Sequence, residues 1–227
     1  MQNDSAFLPL LAQFKTTSPG GFFITGTDTD IGKTFVSCQL AQFLRQKQPG
    51  LVISARKPIA SGAIRNSQNG LVSEDAQQLQ QATGNHESLQ TICPYLFEPA
   101  ISPSRAIQQA VQQQRSKPIT ILDLTTACST PKDHFALIEG AGGIYSPLAI
   151  DGLNIDLAKS LPYPVILVVG NKLGCINHAL LSIQAIEHAQ LPLLHIFLNQ
   201  LTPSSDPNTL AELRCLTPYL VTEIPYQ

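Results

Sequence analysis

Short runs of apolar, β-branched and aromatic residues alternate along this chain with longer stretches whose apolar residues recur every three or four positions. The first kind reads as buried strands, the second as helices with one face turned to a core. Strand-like runs lie at 22–25, 51–55, 135–139, 164–169 and 195–198, and 221–224 is expected to be an edge strand. Helical spacing covers 35–44, a segment opening at Ser73, 106–114, 119–129, 154–161, a long stretch ending at Ala189, and 206–216. Strands alternating with helices predict an α/β fold, a single domain with a mostly parallel central sheet and helices on both faces.

Two segments break the pattern. Residues 93–105 carry Pro94, Pro99 and Pro103 and are expected to be a rigid, irregular crossover. Residues 1–19 are expected to be a poorly ordered or loosely packed extension before a domain at 20–227. Lys15 is their one basic residue, and they lack the order of a signal peptide.

Composition narrows the function. With 227 residues, 43% of them hydrophobic and 13% charged, the chain can bury one substantial core. A formal net charge of −2 leaves no basic footprint for nucleic acid. No apolar run approaches the roughly 20 residues of a membrane-spanning helix. The five cysteines are scattered, with no C-x-x-C pair, which suits reduced thiols in a cytoplasm; none is assigned to a metal or to nucleophilic chemistry.

Candidate chemistry gathers where the strands end. After Phe22–Thr25 comes Gly26-Thr27-Asp28-Thr29-Asp30-Ile31-Gly32-Lys33-Thr34, then a helix. A loop between strand and helix aims backbone N–H groups at one spot, aided by the helix dipole, and suits a polyphosphate. Lys33 would reach the β/γ oxygens and the Thr34 hydroxyl would ligate Mg²⁺. The spacing is off the usual G-x-x-x-x-G-K-S/T pattern, because Gly26 stands one place early.

The strand at 51–55 delivers Lys57 and Ser61 to the same rim, since ligands of open α/β sheets collect beyond the carboxyl ends of the strands. Lys57 reads as a second phosphate-facing cation or as a solvated lysine. Asp75 reads as a metal ligand or as an acid complementing a helix dipole. Glu139 ends a buried run and is followed by Gly140, Gly142 and Gly143. An acid there is costly unless paired or metal-bound, and glycines permit close backbone approach to a ligand. Asn177 could hold a ligand carboxylate or cap a helix, while His178 reads as structural.

Five blocks in order, Gly-Thr-Asp-Thr-Asp-Ile-Gly-Lys-Thr at 26–34, Lys-Pro-Ile-Ala-Ser-Gly at 57–62, Glu-Gly-Ala-Gly-Gly at 139–143, Lys-Leu-Gly-Cys-Ile-Asn-His at 172–178 and Glu-Ile-Pro-Tyr at 223–226, resemble dethiobiotin synthetases, whose own phosphate loop has the enlarged spacing. The resemblance spans nearly the whole chain. It implies an ATP- and Mg²⁺-dependent cyclo-ligase of biotin biosynthesis acting on 7,8-diaminononanoate and CO₂ through a carbamate and a carbamic-phosphoric anhydride.

Carried onto matching positions, the resemblance makes Lys33 and Lys57 catalytic and Thr34, Asp75 and Glu139 metal ligands. Thr27 to Thr34, Asn199 and Pro225 would hold the nucleotide. Ser61, Gly142, Gly143 and Asn177 would hold the substrate, in a homodimer whose interface helps hold the substrate tail. The chain departs from the family in its N-terminal extension, in its short C-terminus and in Gln200, where relatives often have an acid. A rival from another class is a ParA/MinD-like switch ATPase, but the place of its signature lysine holds Asp28.

Overall fold

A computed structural model describes residues 4–14 and 20–227. The chain opens with α1 (Asp4–Phe14), β1 (Gly21–Gly26), α2 (Lys33–Lys47) and β2 (Ile53–Arg56). An excursion follows through β3 (Ile59–Ser61), β4 (Ile64–Arg65), β5 (Leu71–Val72), α3 (Glu74–Thr83), α4 (Leu89–Ile92), β6 (Tyr95–Phe97), α5 (Pro103–Gln112) and α6 (Ile121–Ala127). The last part comprises β7 (Phe135–Gly143), α7 (Asn154–Ser160), β8 (Val165–Asn171), α8 (Cys175–His188), β9 (Leu193–Gln200), α9 (Thr209–Leu216) and β10 (Val221–Ile224).

Six strands form one parallel sheet in the order β10-β9-β8-β1-β7-β2. Its central strands are buried on both faces, which is why they read as unbroken apolar runs rather than alternating ones. Phe23, Ile138, Leu167 and Ile196 pack into the layer on one face, and Phe22, Ile24, Leu137, Ile166 and Phe197 into the layer on the other. Because all six strands run the same way, their carboxyl ends share one rim.

Three expectations are corrected. The segment 93–105 is not irregular throughout, since Tyr95–Phe97 pairs in parallel with β3. Pro94 and Pro99 lie just outside that strand, and Pro103 takes the first position of α5, where a missing N–H costs nothing. Glu139 is not the tip of its strand, because β7 runs on to Gly143 and pairs Gly143 with Gly26 after a register shift. Finally, α1 is not loosely packed: Phe7 and Leu10 are buried, with the Phe7 ring 5.5 Å from Phe43 and 5.1 Å from Phe197. Residues 1–3 and 15–19 of that expected extension lie outside the described residues.

A short relay fastens α1 to the edge of the sheet. The Thr222 hydroxyl donates to the Ala6 carbonyl at 3.0 Å and lies 2.8 Å from Nε2 of the buried His195. Thr222 therefore accepts from a neutral ring protonated at Nε2. Burial pushes the His195 pKa down to about 4 from 6.5. Its contribution to stability is complete above the unfolded value and is lost as pH falls through about 4, because only the unfolded chain binds the proton in between. His195→Gln should flatten the fall in urea midpoint between those two pH values. An unchanged profile would exclude His195 as a source of acid sensitivity.

Candidate active site

The loop after β1 turns through left-handed backbone at Asp30 and Gly32, with φ of 54° and 83°. A Cβ at Gly32 would come within 2.2 Å of Asn199 Nδ2, so both conformation and space demand glycine there. No side chain caps the start of α2, which leaves its first N–H groups to an anion. The Lys33 side chain folds over the loop, Nζ donating to the Asp28 carbonyl at 2.6 Å.

Glu139 is fully buried beneath this loop and accepts three hydrogen bonds, from Thr34 Oγ1 at 2.7 Å, Ser37 Oγ at 2.8 Å and Lys57 Nζ at 2.9 Å. Lys57 is 6% exposed, which removes the solvated reading, and its ammonium is shared between Glu139 and Asp75. Asp75 stands in the first turn of α3 with Ser73 as N-cap, so it is both a dipole-complementing acid and a partner of Lys57. Thr34, Asp75 and Glu139 thus offer only oxygen donors in one cluster, a chemistry that fits Mg²⁺.

The charges are unevenly tuned. Burial pushes Lys33 down to about 8, with Lys57 acting in the same direction and Glu139, Asp75 and Asp28 opposing. Burial would also depress Lys57, but Glu139 and Asp75 outweigh it and hold that ammonium above the usual lysine range. Burial would raise Asp75, yet Lys57, Thr34 and Lys33 hold it below the usual carboxylate range. The site therefore contains one lysine whose charge its carboxylate partners strengthen and one whose charge burial weakens.

Two cavities flank the loop. One of about 360 Å³ is lined by Thr29, Lys33, Thr34, Lys57, Ser61 and Asp75, with Gly142 at its wall. The second, about 620 Å³, is lined by Thr27, Asp28, Gly143, Tyr145, His178 and Ser182. Gly143 lies so close to the loop that a Cβ there would sit 3.2 Å from the Thr27 carbonyl. Asn177 is exposed on α8 and lines neither cavity.

On the far side of the loop, Asn199 Nδ2 donates to the Ile31 carbonyl at 2.9 Å, and its buried Oδ1 has no partner among the described residues. The pairing of β9 with β10 sets Ile224 opposite Asn199, which brings Pro225 beside it. Gln200 accepts from Asn171 at 2.9 Å and donates to Glu223 at 2.8 Å, tying three strand ends together.

Four residues here have no site role in the sequence reading. Ser37 sits three positions after Thr34 on the same helix face, a spacing that could have disclosed it. Asn154 donates to the carbonyls of Ala141 and Gly143 at 2.9 and 3.0 Å and so holds the glycine-rich end of β7, with no local signal in the sequence. Lys172 pairs with Asp28 at 2.9 Å across 144 positions, linking the phosphate-type loop to the loop after β8. His178, read as structural, faces the second cavity with a buried Nδ1 that has no partner among the described residues.

One consequence is measurable. Because burial pushes Lys33 down to about 8, affinity for a nucleoside triphosphate should fall as pH rises through about that value. Lys33→Arg, whose guanidinium keeps its charge, should flatten the profile in calorimetric titrations. Parallel pH profiles for the two proteins would contradict this.

A family model described as an AAA domain matches residues 20–227. The ATP-dependent dethiobiotin synthetase BioD of Vesicomyosocius okutanii is 39% identical over 184 residues, 81% of this chain and 80% of the relative. The enzyme of that name from Yersinia pestis is 38% identical over 208 residues, 90% of this chain and 84% of the relative. Among solved structures, a ParA family ATPase from Chlorobium tepidum superposes with a TM-score of 0.54 over 92% of this chain and 86% of that one. At 15% identity the likeness concerns the fold alone. With its sheet, its loop and this identity over most of both sequences, the chain belongs to the dethiobiotin synthetase family.

Proposed function

We propose that this enzyme closes the ureido ring of dethiobiotin from 7,8-diaminononanoate, CO₂ and ATP. The observation that carries the reading is the pair of lysines set on one cavity wall beside the loop, one of them locked between Glu139 and Asp75. The chemistry needs cations between two anions. One amine of the substrate attacks CO₂ and loses a proton to give a carbamate. A carbamate oxygen then attacks the γ-phosphorus and ADP leaves. The second amine attacks the carbamoyl carbon, phosphate departs with its electron pair, and loss of a proton completes the ring.

No protein nucleophile is needed, and phosphoryl transfer rests on positioning and charge. The backbone from Thr27 to Thr34 would cradle the triphosphate. Lys33 and Lys57 would draw carbamate and γ-phosphate together and stabilise the charge that develops in transfer. Thr34, Asp75 and Glu139 would hold Mg²⁺, which when bound offsets phosphate charge. Ser61 would hold the carbamate end of the substrate, with Gly142 and Gly143 along its path. Asn199, with its unpartnered Oδ1, would accept from the adenine amine, and Pro225 would pack beside the base.

The exposed position of Asn177 suits contact with the substrate carboxylate across a homodimer interface. The exposed Tyr145, Leu173 and Leu181 would contribute to that interface. Residues 20–227 would form the catalytic domain, with α1 an addition to it. Five unpaired cysteines favour a cytoplasmic setting. Among the described residues no helix is long and apolar enough to cross a membrane.

Incubation with 7,8-diaminononanoate, bicarbonate, Mg²⁺ and ATP should yield dethiobiotin, detected by mass. ATP hydrolysis without that product would favour the switch ATPase. Glu139→Gln should shift the Mg²⁺ titration of product formation to higher concentration, and an unshifted titration would remove Glu139 from the metal site.

A further inference from the structure

We infer that the largely buried ion pair Arg56–Glu87 is a positioning device for Lys57, fixing the exit of β2 relative to α3. The inference rests on the proposed role of Lys57. Among the described residues β2 is an edge strand, hydrogen-bonded to a sheet neighbour, β7, on one side only. Lys57 follows immediately and Pro58, which has no N–H, comes next. The placement of Lys57 must come from elsewhere.

Arg56 supplies it. The residue is 3% exposed and uses all three guanidinium nitrogens: Nε donates to the Ser129 carbonyl at 3.1 Å, and Nη1 to the Ala55 carbonyl at 2.8 Å and to Glu87 Oε2 at 2.9 Å. Nη2 donates to Glu87 Oε1 at 2.8 Å. Such a two-pronged contact fixes orientation as well as distance.

Glu87 in turn reaches the rest of the site. Its backbone carbonyl accepts from Gln80 Nε2 at 2.7 Å, and Gln80 lies on α3, the helix whose first turn holds Asp75. The residue after it, Ser88, caps α4, whose last residue, Ile92, accepts the Lys57 N–H at 2.8 Å. One acid therefore connects the strand end that carries Lys57, the helix that carries Asp75 and the short helix that holds the Lys57 backbone.

The contrast with Arg65–Glu98 is informative. That pair is also two-pronged, through Nε and Nη2, but its side chains are 46% and 50% exposed, against 4% and 13% for Arg56 and Glu87. A buried pair is weak evidence for stability in itself, because desolvation offsets the attraction. What this one adds is a fixed geometry between Lys57 and its two carboxylates.

Arg56→Lys keeps the charge but loses the fork, and Glu87→Gln keeps the shape but loses the charge. Both should lower kcat for dethiobiotin formation by about ten- to a hundredfold, the cost of a small misplacement at the reacting centre, while ADP affinity stays at the wild-type value. Labelling with an amine-acylating reagent, read by peptide mass spectrometry, should rise at Lys57 and not at Lys33. Unchanged kcat with a lowered thermal midpoint, or labelling that rises equally at both lysines, would reduce the pair to a general stabiliser. Should Arg56→Lys not fold, Glu87→Gln decides alone. If the wild-type enzyme makes no dethiobiotin, the functional proposal fails, and the labelling contrast still tests the positioning.

Discussion

A carboxylate with no access to water organises this site. Glu139 lies in the central layer of the sheet, where an unpaired charge would cost several kcal/mol. The fold meets that demand with two hydroxyls from α2 and one ammonium from the end of β2. Those partners cannot be supplied without bringing the first turn of α2 against β7 and drawing Lys57 inward, away from the solvent a lysine normally prefers. The phosphate-type loop, the buried lysine and the acid are thus three consequences of one requirement.

The parallel sheet makes the convergence possible. Strands that all point the same way deliver their following loops to one edge, so groups as close in sequence as Lys57 and Asp75, 18 positions apart, and as distant as Ile31 and Asn199, 168 apart, meet there. The cost is that edge strands are poorly braced. At one edge the Arg56–Glu87 pair compensates, and at the other α1, Thr222 and His195 cover β10 and β9. Of the two, only the first edge carries a residue of the lysine–carboxylate cluster.

Glycine has a narrow and necessary part. At Gly32 a side chain would collide with Asn199, and at Gly143 it would press on the loop backbone. Their absence lets β7 run four residues past Glu139 and lie along the loop, which is why the strand is longer than its apolar run suggests. The segment is itself held in place, with Asn154 donating to the Ala141 and Gly143 carbonyls and the Gly143 N–H donating to Ser146 Oγ at 2.8 Å.

The fold class, the six strands of the central sheet and the phosphate-type loop were legible in the sequence, because each depends on local periodicity or on residues adjacent in the chain; the short strands β3 to β6 and helices α1 and α4 were not. Lys33 and Thr34, which belong to one short motif, were legible as well. Lys57 and Asp75 were ambiguous: a lysine after a strand and an acid in a first turn have ordinary surface roles, and only their meeting over Glu139 separates those roles from this one. Ser37 and Asn154 had no functional reading, and the Asp28–Lys172 and Arg56–Glu87 pairs join residues 144 and 31 positions apart. The packing of α1 was missed because its amphipathic face acquires meaning only against Phe43 and Phe197. Sequence alone determined the elements, whose energetics are local. Which charged groups are buried together was decided by tertiary structure, since desolvation and pairing depend on neighbours that only the folded chain provides.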